Sequence, residues 1–171
     1  TMVRTSRGVP GTDSNRIDSA EAWSFFVQDE ITAGIFTITP GVRYERIELA
    51  RDDYGKADPT RTGVALKKKR NDVDVIIPGL GVLAQVNDNV SLLAGVNRGF
   101  VPPAAGSTAD PEKAWNYEAG ARLFSNHGFM AEVIGFYSDY ENLVGTCTAS
   151  TGGDCVIGNQ FDAGEVTVYG V

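Results

Sequence analysis

The feature that most constrains this chain is the alternation of short and long connections between its strand-like segments. About seven segments, rich in Val, Ile, Phe, Tyr and Thr, are predicted near 21–31, 34–49, 74–86, 89–100, 112–125, 128–142 and 160–171. Short connections with the Gly and Asn chemistry of hairpin turns lie at 32–34, 87–89 and 125–128, and long ones lie near 50–73, 101–111 and 143–159. No segment shows a helical period, so we expect an all-β, antiparallel sheet with each strand beside its sequence neighbour.

The strict alternation of connection lengths indicates a membrane barrel. An outer-membrane barrel has short turns at one rim and long loops at the other, whereas a soluble sandwich has no reason to collect its long loops at one end. No run approaches the roughly 18 apolar residues of a membrane helix, so strands would have to make any crossing. We therefore predict part of an up-and-down transmembrane β-barrel over residues 21–171, preceded by an extracellular loop or irregular segment over residues 1–20.

Side-chain alternation within the segments predicts which face each residue occupies. Leu80, Val82 and the other even positions up to 86 are expected to face lipid, as are the odd positions from 115 to 123. Glu118 and Arg122 are then expected to face the lumen, which suits a wet or plugged interior. The segment at 128–142 alternates less cleanly, because its apolar and polar residues share parity.

Aromatic residues recur at nearly constant distances from the predicted tight turns. Five of them lie 9 to 11 residues away: Trp23, Tyr44, Phe100, Trp115 and Tyr137. A strand tilted by about 45° rises roughly 2.3 Å per residue along the barrel axis, so these offsets correspond to about 21–26 Å, near the apolar band of about 25 Å. We interpret the five as one aromatic girdle, against the simpler alternative that aromatic residues are common in strands.

Composition and chemistry-bearing residues argue against other functions. A formal net charge of −7, from 15 Lys plus Arg and 22 Asp plus Glu, argues against nucleic acid as a partner. The N-terminus lacks the apolar core of a signal peptide, so the chain is mature, internal or cytoplasmic. The only histidine, His127, falls in a predicted turn, and no catalytic arrangement can be built around it. We assign no enzymatic activity, cofactor or metal site.

The two cysteines, Cys147 and Cys155, flank a stretch rich in Thr, Ser and Gly. This arrangement is typical of a small disulfide-closed loop in an oxidising compartment, and the alternative is two free thiols in a mobile loop. The spacing is not a zinc pattern, because there is no second pair and no nearby histidine.

Basic residues suggest possible contacts at the rim of the barrel. The run Lys67, Lys68, Lys69 and Arg70 is predicted in a long loop that also holds several aspartates, so a charge-balanced solvated loop is the simpler interpretation. The more specific interpretation is that this basic run contacts lipopolysaccharide phosphates or an anionic ferric chelate. Arg98 shares parity with outward-facing residues, which favours a role at the rim over substrate binding.

Four stretches resemble the TonB-dependent outer-membrane receptors, and the branch they resemble most is that of the ferric dicitrate receptors. They are FVQDEITAGIFTITPGVRYERIE, GVLAQVNDNVSLLAGVNRGFVPP, PEKAWNYEAGARLF and AEVIGFYSDYENLVGTCTASTGGDC. The resemblance covers roughly residues 21–171. It implies a 22-stranded barrel closed by an N-terminal plug, uptake of a ferric chelate or another small nutrient, and energy from the TonB-ExbB-ExbD system. Outer-membrane lipid and lipopolysaccharide would surround it.

The sequence departs from this family pattern because it has neither a plug nor a TonB-contacting segment, and only about a third of the expected strands. Seven strands cannot close a transport-sized barrel, and open edges in lipid are not tolerated, so the rest of the wall must come from elsewhere. Two alternatives stay open at this point. One is a passive porin-like channel, and the other is a soluble β-sandwich or lipocalin-like binding module.

Overall fold

The computed structural model describes residues 14–125, 127–148, 150 and 156–171, and in these ranges all regular structure is β. The strands are β1 (Arg16–Gln28), β2 (Ile31–Ala33), β3 (Phe36–Asp53), β4 (Lys67–Asn87), β5 (Val90–Val101), β6 (Glu112–Phe124), β7 (Met130–Glu141), β8 (Val144–Thr146), β9 (Gln160–Asp162) and β10 (Val166–Gly170). Within the described ranges, no helix has the length and apolar character needed to cross a membrane.

The strands form one antiparallel sheet in which neighbours in sequence are neighbours in space. Its order is β1-β3-β4-β5-β6-β7-β10, with β2 also paired to β3, while β8 and β9 form a separate small hairpin. This confirms the predicted all-β class and the hairpin-by-hairpin order. In the described part of the chain the sheet is open, since β1 and β10 each have a single neighbour.

One pair of strands is much longer than predicted. The connection expected over residues 50–73 shrinks to 54–66, because β3 continues to Asp53 and β4 begins at Lys67. The loop location predicted for Lys67–Arg70 is therefore wrong. The backbone ladder continues through these charged residues, and it places Asp53 opposite Lys67 and Asp52 opposite Lys68, so that unlike charges face each other across the two strands.

The first strand also starts earlier than predicted. β1 begins at Arg16, inside the segment expected to be irregular, and it pairs with β3 over its whole length. Arg16 lies opposite Asp53, and Arg51 donates to Asp18 across the two strands at 2.6 Å. Cross-strand charge pairs therefore continue the ladder beyond the apolar segment that marked the strand in the sequence.

The pairing register defines two faces of the sheet, because paired residues of an antiparallel ladder share a face and successive residues alternate. The apolar face carries Phe25, Tyr44, Leu80, Val82, Val96, Tyr117 and Tyr137. The glycine face carries Gly41, Gly79, Gly81, Gly95, Asn97, Asn116, Glu118 and Arg122. Glu118 and Arg122 are thus on the opposite face from Tyr117, as the alternation in the sequence indicates.

Buried side chains are few, and they are concentrated on the glycine face of the extension formed by β3 and β4. Ile47, Leu49, Val73 and Ala105 form a buried cluster, with Phe100 packed against it. Ile47 lies directly opposite Val73 in the ladder. Ala105 belongs to the β5–β6 loop, which therefore folds back over the glycine face. The cluster gives this end of the sheet a small hydrophobic core of its own.

Candidate functional site

Polar side chains connect three strands on the glycine face. Asn97, Asn116 and Ser138 occupy paired positions on β5, β6 and β7. Asn116 donates to Asn97 at 3.1 Å, and Ser138 donates to Asn116 at 2.8 Å. These two hydrogen bonds satisfy part of the hydrogen-bonding capacity of the three side chains within the sheet itself.

Charged residues on this face are also paired. Arg122 donates to Glu132, its direct partner across β6 and β7. On β3, Arg43 donates to Glu45 and reaches Ser24 at 3.2 Å. Glu118 is exposed and lies between Gly95 and Phe136 in the register. Arg122 and Arg43 are thus each neutralised by a neighbouring carboxylate on this face.

A shallow trough of about 500 Å³ crosses the glycine face from β1 to β5. It is lined by Phe26, Gly41, Gly79, Gly81, Gly95 and Asn97. Phe26 is 76% exposed, an unusual state for an aromatic side chain on this face. The trough exists because glycines meet in pairs across the strands, with Gly41 opposite Gly79 and Gly81 opposite Gly95.

The β5–β6 loop is held onto the long β3–β4 hairpin. The backbone N–H of Gly106 donates to the Asn71 side chain at 2.7 Å, next to the buried Ala105. A Cβ at Gly106 would lie 2.7 Å from the Cβ of Lys69, and Gly106 has φ +76. Glycine is needed at this position on both counts, conformation and close approach.

The β8–β9 hairpin is in turn held onto the β5–β6 loop and its flanking strand. Ala104 N–H donates to Gln160 at 2.8 Å, and Asp110 N–H donates to Asp162 at 3.3 Å. Val144 N–H donates to Glu112 at 2.7 Å. The β5–β6 loop therefore lies between the extended part of β3 and β4 on one side and the β8–β9 hairpin on the other, and these three parts form a layered assembly at one end of the sheet.

The remaining connection, 54–66, is ordered around Asp58, which is buried at 6% exposure. Its carboxylate accepts hydrogen bonds from Thr62 N–H at 2.8 Å and Gly63 N–H at 2.7 Å. These bonds, that of Thr62 first, lower the pKa of Asp58 below its ordinary value, because they favour the ionised form. Asn15, also buried, donates to the carbonyl oxygens of Gly55 and Asp58 at 3.0 and 2.6 Å.

The predicted basic run does not form a single patch. Lys67 and Lys69 lie on the glycine face, whereas Lys68 and Arg70 lie on the apolar face, and all four are exposed. Arg98 is on the apolar face, where its guanidinium lies 5.7 Å from the ring centroid of Trp115, its partner across β5 and β6. Its Nε is buried and has no hydrogen-bond partner in the described part of the chain.

Four of the five predicted girdle residues share the apolar face: Trp23, Tyr44, Trp115 and Tyr137. The rings of Tyr137 and Tyr117 lie 6.1 Å apart. Phe100 has the same parity, but it packs against the cluster of Ile47, Leu49 and Val73. This departure from the prediction arises because β5 stops pairing with β4 beyond Asn97.

Cys147 follows β8 and is buried at 2% exposure. Its backbone N–H donates to the Asn159 carbonyl at 2.8 Å. Cys155 lies outside the described residues, so the predicted pairing of the two cysteines stays a prediction. No cluster of three or more His, Cys, Asp or Glu side chains able to hold a metal ion occurs in the described ranges.

Residues 3–171 match the family described as "TonB dependent receptor-like, beta-barrel". The chain belongs to this family. The TonB-dependent receptors are outer-membrane receptors and transporters of Gram-negative bacteria, which confirms both the predicted location and the expectation that the chain is not an enzyme. Membership of the family does not show which branch the chain belongs to, so the ferric dicitrate branch stays a prediction.

Solved structures show the same fold. The FrpB iron transporter from Neisseria meningitidis (F3-3 variant) matches with a TM-score of 0.67 at 17% identity, over 89% of this chain and 22% of that one. The ferric yersiniabactin uptake receptor FyuA from Yersinia pestis matches with a TM-score of 0.63 at 18% identity, over 88% and 23%. This TonB-dependent receptor sequence thus spans less than a quarter of the length of the structures it matches.

Sequence reasoning missed the residues that assemble the loops. Asn71, Gln160 and Glu112 bind loop backbone that is between 32 and 56 residues away in the chain. No local pattern distinguishes them from other polar residues near strand ends. The only usable signal was Gly106, a glycine inside a polar connection, and it does not identify the partner strand.

Proposed function

We propose that this chain is part of the barrel wall and extracellular loop assembly of a receptor that takes up a ferric chelate or a similar small nutrient. The observation that carries the proposal is the layered loop assembly, in which the connections after β3, β5 and β7 collect at one end of the sheet. In a family of outer-membrane receptors, this end is the extracellular mouth where a nutrient is captured. Uptake requires no covalent chemistry in the receptor.

In this proposal the apolar face contacts lipid and the glycine face lines the lumen. The apolar face supports this, because Trp23, Phe25 and Tyr117 are 60%, 61% and 46% exposed and would be costly in water. The glycine face carries polar residues that a lumen tolerates, including Glu118 and Arg122. Trp23, Tyr44, Trp115 and Tyr137 would then form the girdle at the extracellular interface.

The basic residues have two roles in this proposal, according to face. Lys68, Arg70 and Arg98 are on the apolar face at its extracellular end, where lipopolysaccharide phosphates would lie. Arg98 is suited to such a contact because its guanidinium lies beside the Trp115 ring, 5.7 Å from the ring centroid, on the same face. We expect Arg98→Gln to reduce the lipopolysaccharide that co-purifies with the full-length protein, whereas Lys67→Gln, on the other face, leaves it unchanged. Equal retention in both variants would contradict the contact.

A ferric chelate is the solute class we favour, and ferric dicitrate is one candidate. Support comes from the titles of the structural matches, which describe an iron transporter and a ferric yersiniabactin uptake receptor. Lys67 and Lys69 lie on the face that would line the mouth, where cations suit an anionic chelate. Energy would come from the TonB-ExbB-ExbD system through parts of the receptor outside these 171 residues.

We also propose that Cys147 and Cys155 form a disulfide that keeps the third loop compact over the mouth. The bond would close a ring of seven intervening residues, and by loop-closure entropy such a ring contributes about 2–3 kcal/mol. Intact-mass measurement with and without reductant tests the bond. Two thiols that alkylate freely in oxidised, detergent-extracted protein would contradict it.

The proposed function is tested by iron uptake in cells that express the full-length receptor and lack their own. Radioactive ferric citrate and a ferric siderophore are supplied at limiting concentration, with and without a functional TonB. We expect receptor-dependent uptake of at least one chelate that disappears when TonB is removed. Uptake that persists without TonB would identify a passive channel, and no uptake of any iron chelate would reject the solute class.

A further inference from the structure

The extended part of β4 has an open strand edge. Residues 67–78 have β3 on one side and no strand on the other in the described ranges, because pairing with β5 ends at Gly79 and Asn97. The next residue of β4, Pro78, has no backbone N–H to offer to a neighbouring strand. An open edge of this length is a template on which another strand can pair.

The backbone groups on this edge belong to the even-numbered residues. The Gln85 N–H donates to the Ile35 carbonyl at 2.8 Å, so odd positions of β4 direct their N–H and C=O groups toward β3. The β3–β4 register has no shift, so the same parity holds along the whole strand. None of the edge groups beyond Pro78 has a hydrogen-bond partner within the described part of the chain. The residues that present both groups are Lys68, Arg70, Asp72, Asp74 and Ile76.

The side chains of these residues lie on the apolar face, and their charges are ordered along the edge. Two cations are followed by two carboxylates and one apolar residue, and all are exposed. Among the described residues no ion pair involves Lys68, Arg70 or Asp72, and Asp74 accepts one hydrogen bond from Tyr44 at 2.6 Å. An antiparallel strand is complementary when its carboxylates lie opposite the cations and its cations lie opposite the carboxylates.

The edge is complementary in this sense to a second copy of itself. Antiparallel pairing about Asn71 would place Lys68 opposite Asp74. It would also place Arg70 opposite Asp72. The two-fold axis of such a pair is perpendicular to the sheet, so the two receptors would face each other from opposed membranes.

The height of the edge excludes this arrangement for receptors in membranes. Asn71 is five residues beyond the level of Tyr44, which is about 12 Å at roughly 2.3 Å per residue, so the two membrane surfaces would be about 24 Å apart. The 54–66 loop begins about 21 Å above Tyr44 by the same measure and would collide with the opposite membrane. The complementary strand must therefore come from a different source.

We infer that this edge binds an extended segment of a separate protein by antiparallel strand addition. The segment places carboxylates opposite Lys68 and Arg70, and cations opposite the carboxylates that follow. A loop of the same receptor would arrive across the mouth, and that side is covered, because Ala105 is buried there and Gly106 lies against Lys69. This rests on the proposed function, which gives the membrane orientation that excludes a second copy.

The first test uses a synthetic peptide as the added strand. The peptide has the sequence of residues 66–76, which carries the complementary charge order. The full-length receptor is held in phosphatidylcholine nanodiscs free of lipopolysaccharide, because Lys68 and Arg70 are also proposed phosphate contacts. A control peptide of the same composition exchanges the two acidic and the two basic residues of the outer face. We expect saturable binding that is about tenfold weaker for the control.

Two results would overturn the inference at this stage. Equal binding of the two peptides would mean that the charge order is not recognised. Absence of binding is the result expected if another part of the receptor already occupies the edge. A receptor that imports iron in a TonB-dependent manner but binds no peptide keeps the proposed function and loses only this interaction.

Matched charge reversals test which face of β4 is recognised. Lys68→Glu combined with Arg70→Glu should weaken peptide binding about tenfold. Lys67→Glu combined with Lys69→Glu makes the same change of charge on the glycine face and should leave binding unchanged. Unchanged hydrogen exchange in the wall, such as at Val82, shows that both variants fold. Equal weakening in the two variants would reduce the effect to general charge attraction and contradict strand addition.

Backbone pairing is tested on the peptide, so that the receptor stays unaltered. N-methyl groups at the peptide positions of Arg70 and Asp72 remove N–H groups that face β4, and they should abolish binding. N-methyl groups at the positions of Lys69 and Val73 remove N–H groups that face solvent, and binding should persist. Equal behaviour of the two methylated peptides would overturn the inference.

Discussion

On either side of Tyr44, the same two strands, β3 and β4, are stabilised in different ways. Between the tight turns and Tyr44, apolar side chains cover one face, the other mixes glycine with polar and apolar residues, and no residue of either strand is buried. Beyond Tyr44, Ile47, Leu49 and Val73 are buried under the β5–β6 loop. The first region, the wall, lacks a core of its own, and the second, the extension, has one.

This difference teaches that the two regions depend on different surroundings. In the proposed function the wall has lipid on one face and the lumen on the other, and its own side chains form no core. The extension is held by its own cluster and by hydrogen bonds that loop N–H groups donate to the side-chain oxygens of Asn71 and Asp58. The effect of a substitution in the wall should therefore depend on the environment of the face that carries it. The effect of a substitution in the extension should depend on local packing.

The largest effect is expected from a charge placed on the lipid side of the wall. Ala119→Arg puts a cation at mid-height on the apolar face, which should destabilise the full-length protein by about 2–4 kcal/mol. Glu118→Arg, one residue earlier on the glycine face, should have a much smaller effect. Urea unfolding in phosphatidylcholine vesicles measures both. Equal losses would show that the two faces have been assigned to the wrong environments.

The next effect concerns the core of the extension. Ile47→Ala removes a side chain that is 7% exposed, and we expect a loss of about 2 kcal/mol, at the lower end for such truncations because the loop can collapse. Hydrogen exchange at the Gly106 amide should then be roughly 30-fold faster. Arg46→Ala, on the exposed opposite face, is the control and should leave that amide protected. Unchanged exchange in Ile47→Ala would mean that the cluster does not hold the loop.

A smaller effect is expected from the hydrogen bond that joins the loop to the extension. Asn71→Ala leaves the Gly106 N–H without its partner, which should cost about 1 kcal/mol. The same amide should exchange faster, while amides in the wall, such as that of Val82, stay unchanged. Faster exchange spread evenly over both regions would contradict the independence of wall and extension.

The smallest effect is confined to the 54–66 loop and depends on pH. The pKa of Asp58 is lowered in the folded state, so its contribution is complete above the ordinary value of 3.8 and is lost as pH falls through the lowered pKa. We expect the Thr62 and Gly63 amides to lose protection from hydrogen exchange once the pH falls below the lowered pKa of Asp58, after correction for intrinsic exchange. Asp58→Asn should show no such dependence. Protection that is independent of pH in the wild type would contradict the role of the carboxylate.

The sequence was sufficient for the wall, because the information there is local. Alternation with a period of two residues separates Tyr117 from Glu118, and glycine and asparagine at the turns define each hairpin. The register follows once those turns are known, which is why the strand order and the two faces were predictable. Even the mixed pattern of β7 agrees with this logic, since Ile134 covers Gly120 on the neighbouring strand.

Only the tertiary structure decided how far the strands extend and how the loops meet. From the sequence alone, Lys67 and Lys68 were predicted to lie in a loop. In the structure they lie in β4, opposite Asp53 and Asp52. The bonds of Asn71 to Gly106 and of Gln160 to Ala104 span 35 and 56 residues. Contacts of this kind depend on the path of a loop after the sheet has formed. A loop has no repeating sequence pattern from which its contact partner could be predicted.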